Sequence, residues 1–534
     1  MKQRMVQDRY KLWYMMCFML LGLIDQRRGS AIGEIQMLFS NLTGIVMAML
    51  LLPSLNYHKF KGKIYLFWTP VCLIFTVIAI IWGQRLWPYR GQWIAAVLNL
   101  TCWSYLLIYI VREWKTLDIG ERLKQPYYWC VLAFLMLMAL SAHEKSETLW
   151  YMLIYGGFYI IGIPENRRRD FMVGMLNGII AWFFIQQVIA FGFRPYDYVR
   201  YRGLYSGETQ NGLFYMLTYC AFFVKWVWGK EEKQNKWLCR FYFLMAAGNV
   251  GFMILAGSRS GLLGAVVVTL ALLTMYDIVR RKSFYQWMLH GVELVLCAVL
   301  LMPAVYSCVR YLPTILHHPI WFEGEYSEEE SVRSFDSWDS SRYISVEEMI
   351  DNNIGRILHA VGIDITSENY QSSLGGMKVY AQELQASGES GSTPENPYML
   401  DDVDKNNPMW ARIVIYSYYW NHLNLVGHIG AGQGFYVTAW TFLEHAHNMF
   451  LQTAYDYGVP AGILFILIWI CGIYQALRMR KPEGWACTAY LLAIACFGML
   501  EMVVTPGQIT VVIMWVMFYF VGLDVGKLGS ETVQ

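Results

Sequence analysis

Long uncharged runs, broken by short basic connectors, constrain this chain more than any other feature. Ile64–Trp82, Trp93–Val111 and Phe171–Phe193 carry no charged side chain, and Val266–Tyr276 and Thr510–Leu523 are shorter runs of the same kind. Roughly 20 apolar residues at 1.5 Å each suffice for a helix to cross a ~30 Å hydrocarbon core. Only 15% of the 534 residues are charged, against about a quarter in a soluble domain. A large soluble protein with buried helices is the alternative, and it leaves so many runs near spanning length unexplained.

The runs predict about fourteen spans. They lie near 12–24, 31–52, 64–82, 93–111, 127–140, 149–163, 171–192, 210–228, 238–256, 260–277, 286–307, 449–476, 485–504 and 508–524. The first, fifth and sixth are short. The expected fold is therefore an all-α polytopic membrane protein of about 12–14 transmembrane helices with one large extracytoplasmic loop. Leu12–Ile24 follows four basic residues, as a signal peptide would, but Asp25-Gln26-Arg27-Arg28 comes next without a small-residue cleavage site. A retained first anchor is the expectation.

Lys and Arg accumulate in cytoplasmic loops. With the N-terminus inside, the inside loops are Asn56–Lys63, Arg112–Gln125, Pro164–Asp170, Lys225–Arg240, Asp277–Ser283 and Leu477–Glu483, each with at least three Lys or Arg. The outside connectors are poorer, and both termini fall in the cytoplasm of a multi-pass protein of the cell membrane. Residues 309–445 are then an outside loop holding 19 of the 40 acidic residues against seven Lys or Arg. Its middle, Glu323–Asp404, is rich in Glu, Asp, Ser, Gly and Asn and reads as loosely ordered. Trp410–Phe435 restores apolar residues at helical spacing, so it is expected to return to the membrane part. Four regions follow: N-terminal spans 1–193, spans 194–308 with outer arginine motifs, the loop 309–445, and C-terminal spans 446–534.

A net charge of +2 points to no nucleic-acid partner. None of the eleven cysteines lies in the large loop, which therefore has no disulfide framework. No Walker loop, Rossmann fingerprint or nucleophile elbow occurs in its proper context. That argues against a nucleotide-driven activity.

Four outer places could carry chemistry. Tyr196–Asn211 brings Arg200, Arg202 and Asn211 to a helix mouth, though an interfacial aromatic belt with snorkelling arginines explains it equally well. Gly257-Ser258-Arg259-Ser260-Gly261 is a turn between two tightly spaced helices. A cation squeezed between spans is costly without an anion, which makes Arg259 a site candidate, while the glycines also suit close packing. Trp410-Ala411-Arg412 precedes Tyr416, Tyr418, Tyr419 and Trp420, and could equally be an ordinary loop with a solvated arginine. Glu444-His445-Ala446-His447-Asn448 opens an apolar run that Gly458 and Pro460 break after two turns, predicting a short lip helix before the true span. Zinc-binding histidine pairs use i and i+4 on a helix, so this i, i+2 pair predicts no metal site. One imidazole suffices as a general base near neutral pH.

Taken in this order, the motifs resemble the O-antigen ligase family of ligases, Wzy-type polymerases and protein O-oligosaccharyltransferases. The likeness rests on Arg202-Gly203-Leu204 with Asn211, Ser258-Arg259-Ser260-Gly261, Arg412 with Gly427 and Phe435, and His447-Asn448 followed after nine residues by Gly458. Ala461 stands where the family commonly has Gly. The likeness spans about residues 195–475, with the acidic stretch 323–404 as an insertion.

The resemblance implies a metal-independent glycosyltransferase with no cofactor. Such proteins move glycan from an undecaprenyl-diphosphate-linked donor to a glycan, lipid or protein acceptor hydroxyl at the outer face of the membrane. His447 would be the catalytic base, and Arg202, Arg259, Arg412, Asn211 and Asn448 would bind substrate. Arginines suit a diphosphate because their planar fork forms bidentate, charge-assisted hydrogen bonds. Tyr205, Trp410 and Trp420 offer flat surfaces for sugar rings. On a helix, His445 would lie about 200° from His447 and face loop or headgroups. The rival class is a transporter or flippase of lipid-linked oligosaccharide, which would place ionisable groups at mid-membrane and show paired repeats. A receptor binding its partner through the large loop is the third reading.

Overall fold

The computed structural model describes residues 2–28, 34–86, 90–117, 119–141, 145–193, 201–205, 208–316, 408–427, 435–438, 441–443, 445–479, 481–503 and 507–531. On these residues the predicted apolar runs fall on helices. The first eight helices are α1 (Lys2–Arg28), α2 (Glu34–Leu51), α3 (Lys63–Leu86), α4 (Arg90–Glu113), the single turn α5 (Ile119–Leu123), α6 (Pro126–Leu140), α7 (Lys145–Ile161) and α8 (Glu165–Phe193). Then come α9 (Glu208–Glu231), α10 (Lys236–Leu255), α11 (Arg259–Leu273), which continues as the π-helical turn Thr274–Arg280, and α12 (Phe284–Ile315). After the acidic stretch follow α13 (Pro408–Asn421) and a short antiparallel hairpin, β1 (Phe435–Thr438) with β2 (Thr441–Leu443). The chain ends with α14 (Met449–Tyr457), α15 (Val459–Arg478), α16 (Pro482–Gly498) and α17 (Ile509–Glu531).

Among the described residues, seven helices are long and apolar enough to cross a membrane, and four apolar helices are shorter. Large apolar side chains cover the outward faces of α3 (Leu66, Phe67, Leu73) and α12 (Val295, Val299, Leu300), where water would penalise them and hydrocarbon would not. Residues 317–407, with the acidic stretch, lie outside the described residues, as does Arg200.

Small residues set the closest helix contacts. Gly174 and Gly178 of α8 let the backbone of α1 approach, and a Cβ at either would press on the Lys11 or Met15 carbonyl. This is the small-xxx-small pattern by which apolar helices gain contact where no water drives them together. The pairing advances in step along both chains, so α1 and α8 run parallel.

The predicted break after residue 448 is present. The Asn448 side chain accepts from the Phe450 and Leu451 N–H groups and starts α14; Gly458, at φ +94°, ends it; Pro460 lies in the first turn of α15. The expected helical spacing over Trp410–Phe435 holds only to Asn421, and Phe435 sits in β1 instead.

Candidate functional site

Three helices carry the predicted residues to one end of the bundle. Gly264 of α11 packs against Met216 of α9 and the Ala493 carbonyl of α16. Five residues from these contacts, about 7–8 Å along a helix, are Asn211 on α9, Arg259 on α11 and Gly498 on α16. The Tyr490 hydroxyl bonding the Leu217 carbonyl keeps α9 and α16 in the same register. At this end Gly192 also meets Leu316, so the chain leaves α12 on the side where α13 returns.

The arginine loop is built on backbone. The Tyr201 N–H donates to the Leu255 carbonyl at 2.8 Å, and the Asn211 amide donates to the Tyr201 carbonyl at 2.8 Å. Gly203 has φ +58°, a conformation that glycine adopts without steric cost, and a Cβ there would press on Asn211 Oδ1. Asn211 is fully buried and positions the Arg202 loop. Arg202 itself is half-buried.

Ser258 caps α11 by accepting from the Gly261 N–H at 3.2 Å. Arg259, the first residue of α11, is exposed and not squeezed between spans as the sequence suggested. A cation at a helix N-terminus opposes the helix dipole.

α13 docks onto the turn after α16. The Arg412 guanidinium donates from Nη1 to the Leu500 carbonyl and from Nη2 to Glu501 Oε1, the latter at 2.9 Å. The other oxygen of Glu501 lies 3.1 Å from His447 Nδ1. The Tyr416 hydroxyl sits 3.2 Å from the Met499 carbonyl and 3.4 Å from that of His447. Return of this segment to the helical part was expected; the carboxylate that receives it was not. Burial alone would raise the Glu501 carboxyl, but hydrogen bonds from His447 and Arg412 outweigh it and hold the group below its ordinary range. The Arg412 guanidinium is thus engaged by Glu501 and by the Leu500 carbonyl.

The Glu501 contact selects one form of the His447 ring. A carboxylate at Nδ1 favours the tautomer with the proton there, leaving the Nε2 lone pair to take a proton. Asn448 is used structurally: besides capping α14, its amide donates to the Met499 carbonyl at 3.0 Å. The expected divergence of the two histidines is overturned. Their ring centroids are 4.3 Å apart at 74°, because residues 445–448 precede the helix and His447 adopts φ +49°. The rotation of about 100° per helical residue does not apply there. Burial, and then repulsion from His447, push His445 down to about 4.

Tyr205 is buried against Phe214 and cannot stack on a sugar, whereas Trp420 is exposed. Gly427 (φ +81°) and Gly458 pack backbone on backbone, since a Cβ on either would strike the Asp456 or Leu425 carbonyl. The Val459 N–H to the Asn424 carbonyl, at 2.9 Å, closes this clasp.

Asp456, bonded by Gln452 at 2.9 Å, is raised by burial from an ordinary 3.8 to about 7. Between these values the unfolded chain loses a proton that the folded chain keeps, so stability falls as pH rises through the window and levels off above it. Asp456→Asn removes this dependence. The expected result is a higher unfolding midpoint than wild type at pH 8 and an equal one near pH 4; an equal difference at both pH values would contradict it.

Glu501 is the functional candidate that the motifs did not reveal. A signal was available, because it is the sole charge between Glu483 and Asp524, and a lone acid in an apolar stretch is a functional flag. Comparison of the sequence with protein-family models and with characterised proteins returns no match.

Proposed function

We propose that this chain is a multi-pass membrane glycosyltransferase of the O-antigen ligase type. It takes glycan from an undecaprenyl-diphosphate-linked donor and passes it to an acceptor hydroxyl at the outer face of the cytoplasmic membrane. The four shorter apolar helices and α1, α9 and α16 count as crossings in this reading, giving about 12–14. The observation that carries it is the chain Arg412–Glu501–His447, at the end of the bundle that also bears Arg202 and Arg259.

Glu501 holds the Nδ1 proton of His447, and Nε2 accepts the proton of the acceptor hydroxyl. The freed oxygen attacks the anomeric carbon, and the bond from that carbon to the diphosphate oxygen breaks with its electron pair on the leaving group. Arg202 and Arg259 would supply the guanidinium groups that stabilise the diphosphate as its charge grows. Arg412 keeps Glu501 ionised, and Trp420 offers a face to a sugar ring.

One observation favours the transporter reading: His290 and Asp277 form a buried pair at 2.8 Å within the helical part. Asp277, however, lies 18 residues beyond Arg259 on the same rod, about 27 Å away and beside Arg280 and Arg281. It is at the far end of the bundle and not at mid-span, where a transported charge would be held.

The test supplies the purified chain, in nanodiscs, with lipid-diphosphate-linked glycan and candidate acceptors. The expected result is an acceptor that gains the mass of the glycan, with release of undecaprenyl diphosphate. Movement of the donor across the bilayer without mass gain would replace this reading by the flippase.

A further inference from the structure

At the opposite end of the bundle α1, α8 and α9 enclose a cavity of about 370 Å³, within the size range of small-ligand sites. Lys225 on its wall is 14 residues after Asn211 on α9, about 21 Å along the helix. The cavity is therefore separate from the proposed transfer site. Its lining brings three cations, Lys11, Arg169 and Lys225, to two carboxylates, Asp170 and Glu232.

Pairing within the cavity is unequal. Lys11 is 3.6 Å from Asp8 and 3.7 Å from Asp170, and Arg169 bonds Glu232. Glu232 also accepts from Trp228 Nε1 and from Gln234 Nε2, the latter at 3.2 Å. Lys225 makes no ion pair within 4 Å among the described residues, although the Glu232 carboxylate attracts it from across the recess, and its ammonium lies 5.5 Å from the Tyr242 ring centroid. Lys225 is thus the lining cation without an ion pair within 4 Å among the described residues, next to an arginine whose side chain is 62% exposed.

We infer that this cavity binds a phosphate group, held by Lys225 and the outer N–H groups of Arg169. A phosphodiester headgroup of an anionic lipid is the source that the surroundings favour. Three residues after Gln234, α10 begins an outward face of Trp237, Phe241 and Leu244, all exposed and spaced as one helical stripe. Acyl chains can lie along that stripe while the headgroup enters the recess, as in other basic pockets between spans.

The experiment uses the full chain purified in a neutral detergent. Native mass spectrometry and the unfolding midpoint are read with dioleoyl-phosphatidylglycerol, dioleoyl-phosphatidylcholine or inorganic phosphate added. The expected result is one retained phosphatidylglycerol per chain and a raised midpoint, with no such effect from phosphatidylcholine. Lys225→Met is expected to weaken retention by about tenfold or more, and Lys225→Arg to keep it. Should Lys225→Met fail to yield folded protein, the exposed Arg169→Gln serves as the second variant, with the same loss expected. Retention of inorganic phosphate that depends on Lys225 would assign the recess to a soluble phosphate. Equal phosphatidylglycerol retention by wild type and both neutral variants, or no retention of either phosphate, would overturn the inference. Neither outcome touches glycan transfer.

Discussion

His447→Ala is expected to lower the rate of glycan transfer by about 10²–10⁴-fold, the range that a positioned general base supplies. The backbone complicates this variant, because His447 has φ +49°, a conformation that Ala adopts less readily than Asn. His447→Asn is therefore the better control: it suits the turn and removes the imidazole. Both variants are expected to lose transfer alike while remaining monodisperse. His445→Ala is expected to cost far less, since burial keeps that ring neutral down to about pH 4. Its loss is not negligible, however, because its ring supports that of His447. Full turnover in His447→Asn would remove the base from the mechanism. Equal losses in the Asn variant and in His445→Ala would mark the histidine pair as scaffolding.

Glu501→Gln is expected to reduce turnover by about 10²-fold or more, with a smaller change in donor KM. The amide is nearly isosteric with the carboxylate but neutral, and it can offer an N–H to His447 Nδ1. That contact would place the ring proton on Nε2 and leave no lone pair for the acceptor hydroxyl. Arg412→Lys is expected to retain partial activity, because an ammonium can pair with Glu501 but cannot also copy the planar contact to the Leu500 carbonyl. Arg412→Ala should approach the Glu501→Gln loss. The measurement is single-turnover transfer at saturating donor, with protein level and dispersity checked in parallel. Wild-type turnover in Glu501→Gln alongside an inactive His447→Asn would dissociate the carboxylate from the base.

The apolar helices were legible because apolar length and charge deficit are one-dimensional properties; seven of them have spanning length among the described residues. The break at Gly458 and the cap at Asn448 were legible for a similar reason: each acts within a few residues of itself. The carboxylate of the site was not. Glu501 meets His447 across 54 positions and Arg412 across 89, and only packing of α13 and α16 brings them together. Arg259 was placed at the correct turn, but its exposure depends on how α10 and α11 diverge. Tyr205 is aromatic and close to a motif, yet the same chemistry that suits a sugar also suits a core. His445 was misdirected by a helical rule extended one turn too far.

The docking of α13 has a consequence for how this chain can change. Arg412, Tyr416 and Asn448 bind the carbonyls of Leu500 and Met499, and Val459 binds that of Asn424. A carbonyl is the same whatever side chain its residue carries. The α16–α17 turn can therefore drift in composition at 499 and 500 without releasing its grip, while position 501 cannot. In a mutational library of this turn, tolerance would fall from nearly complete to nearly none between adjacent codons.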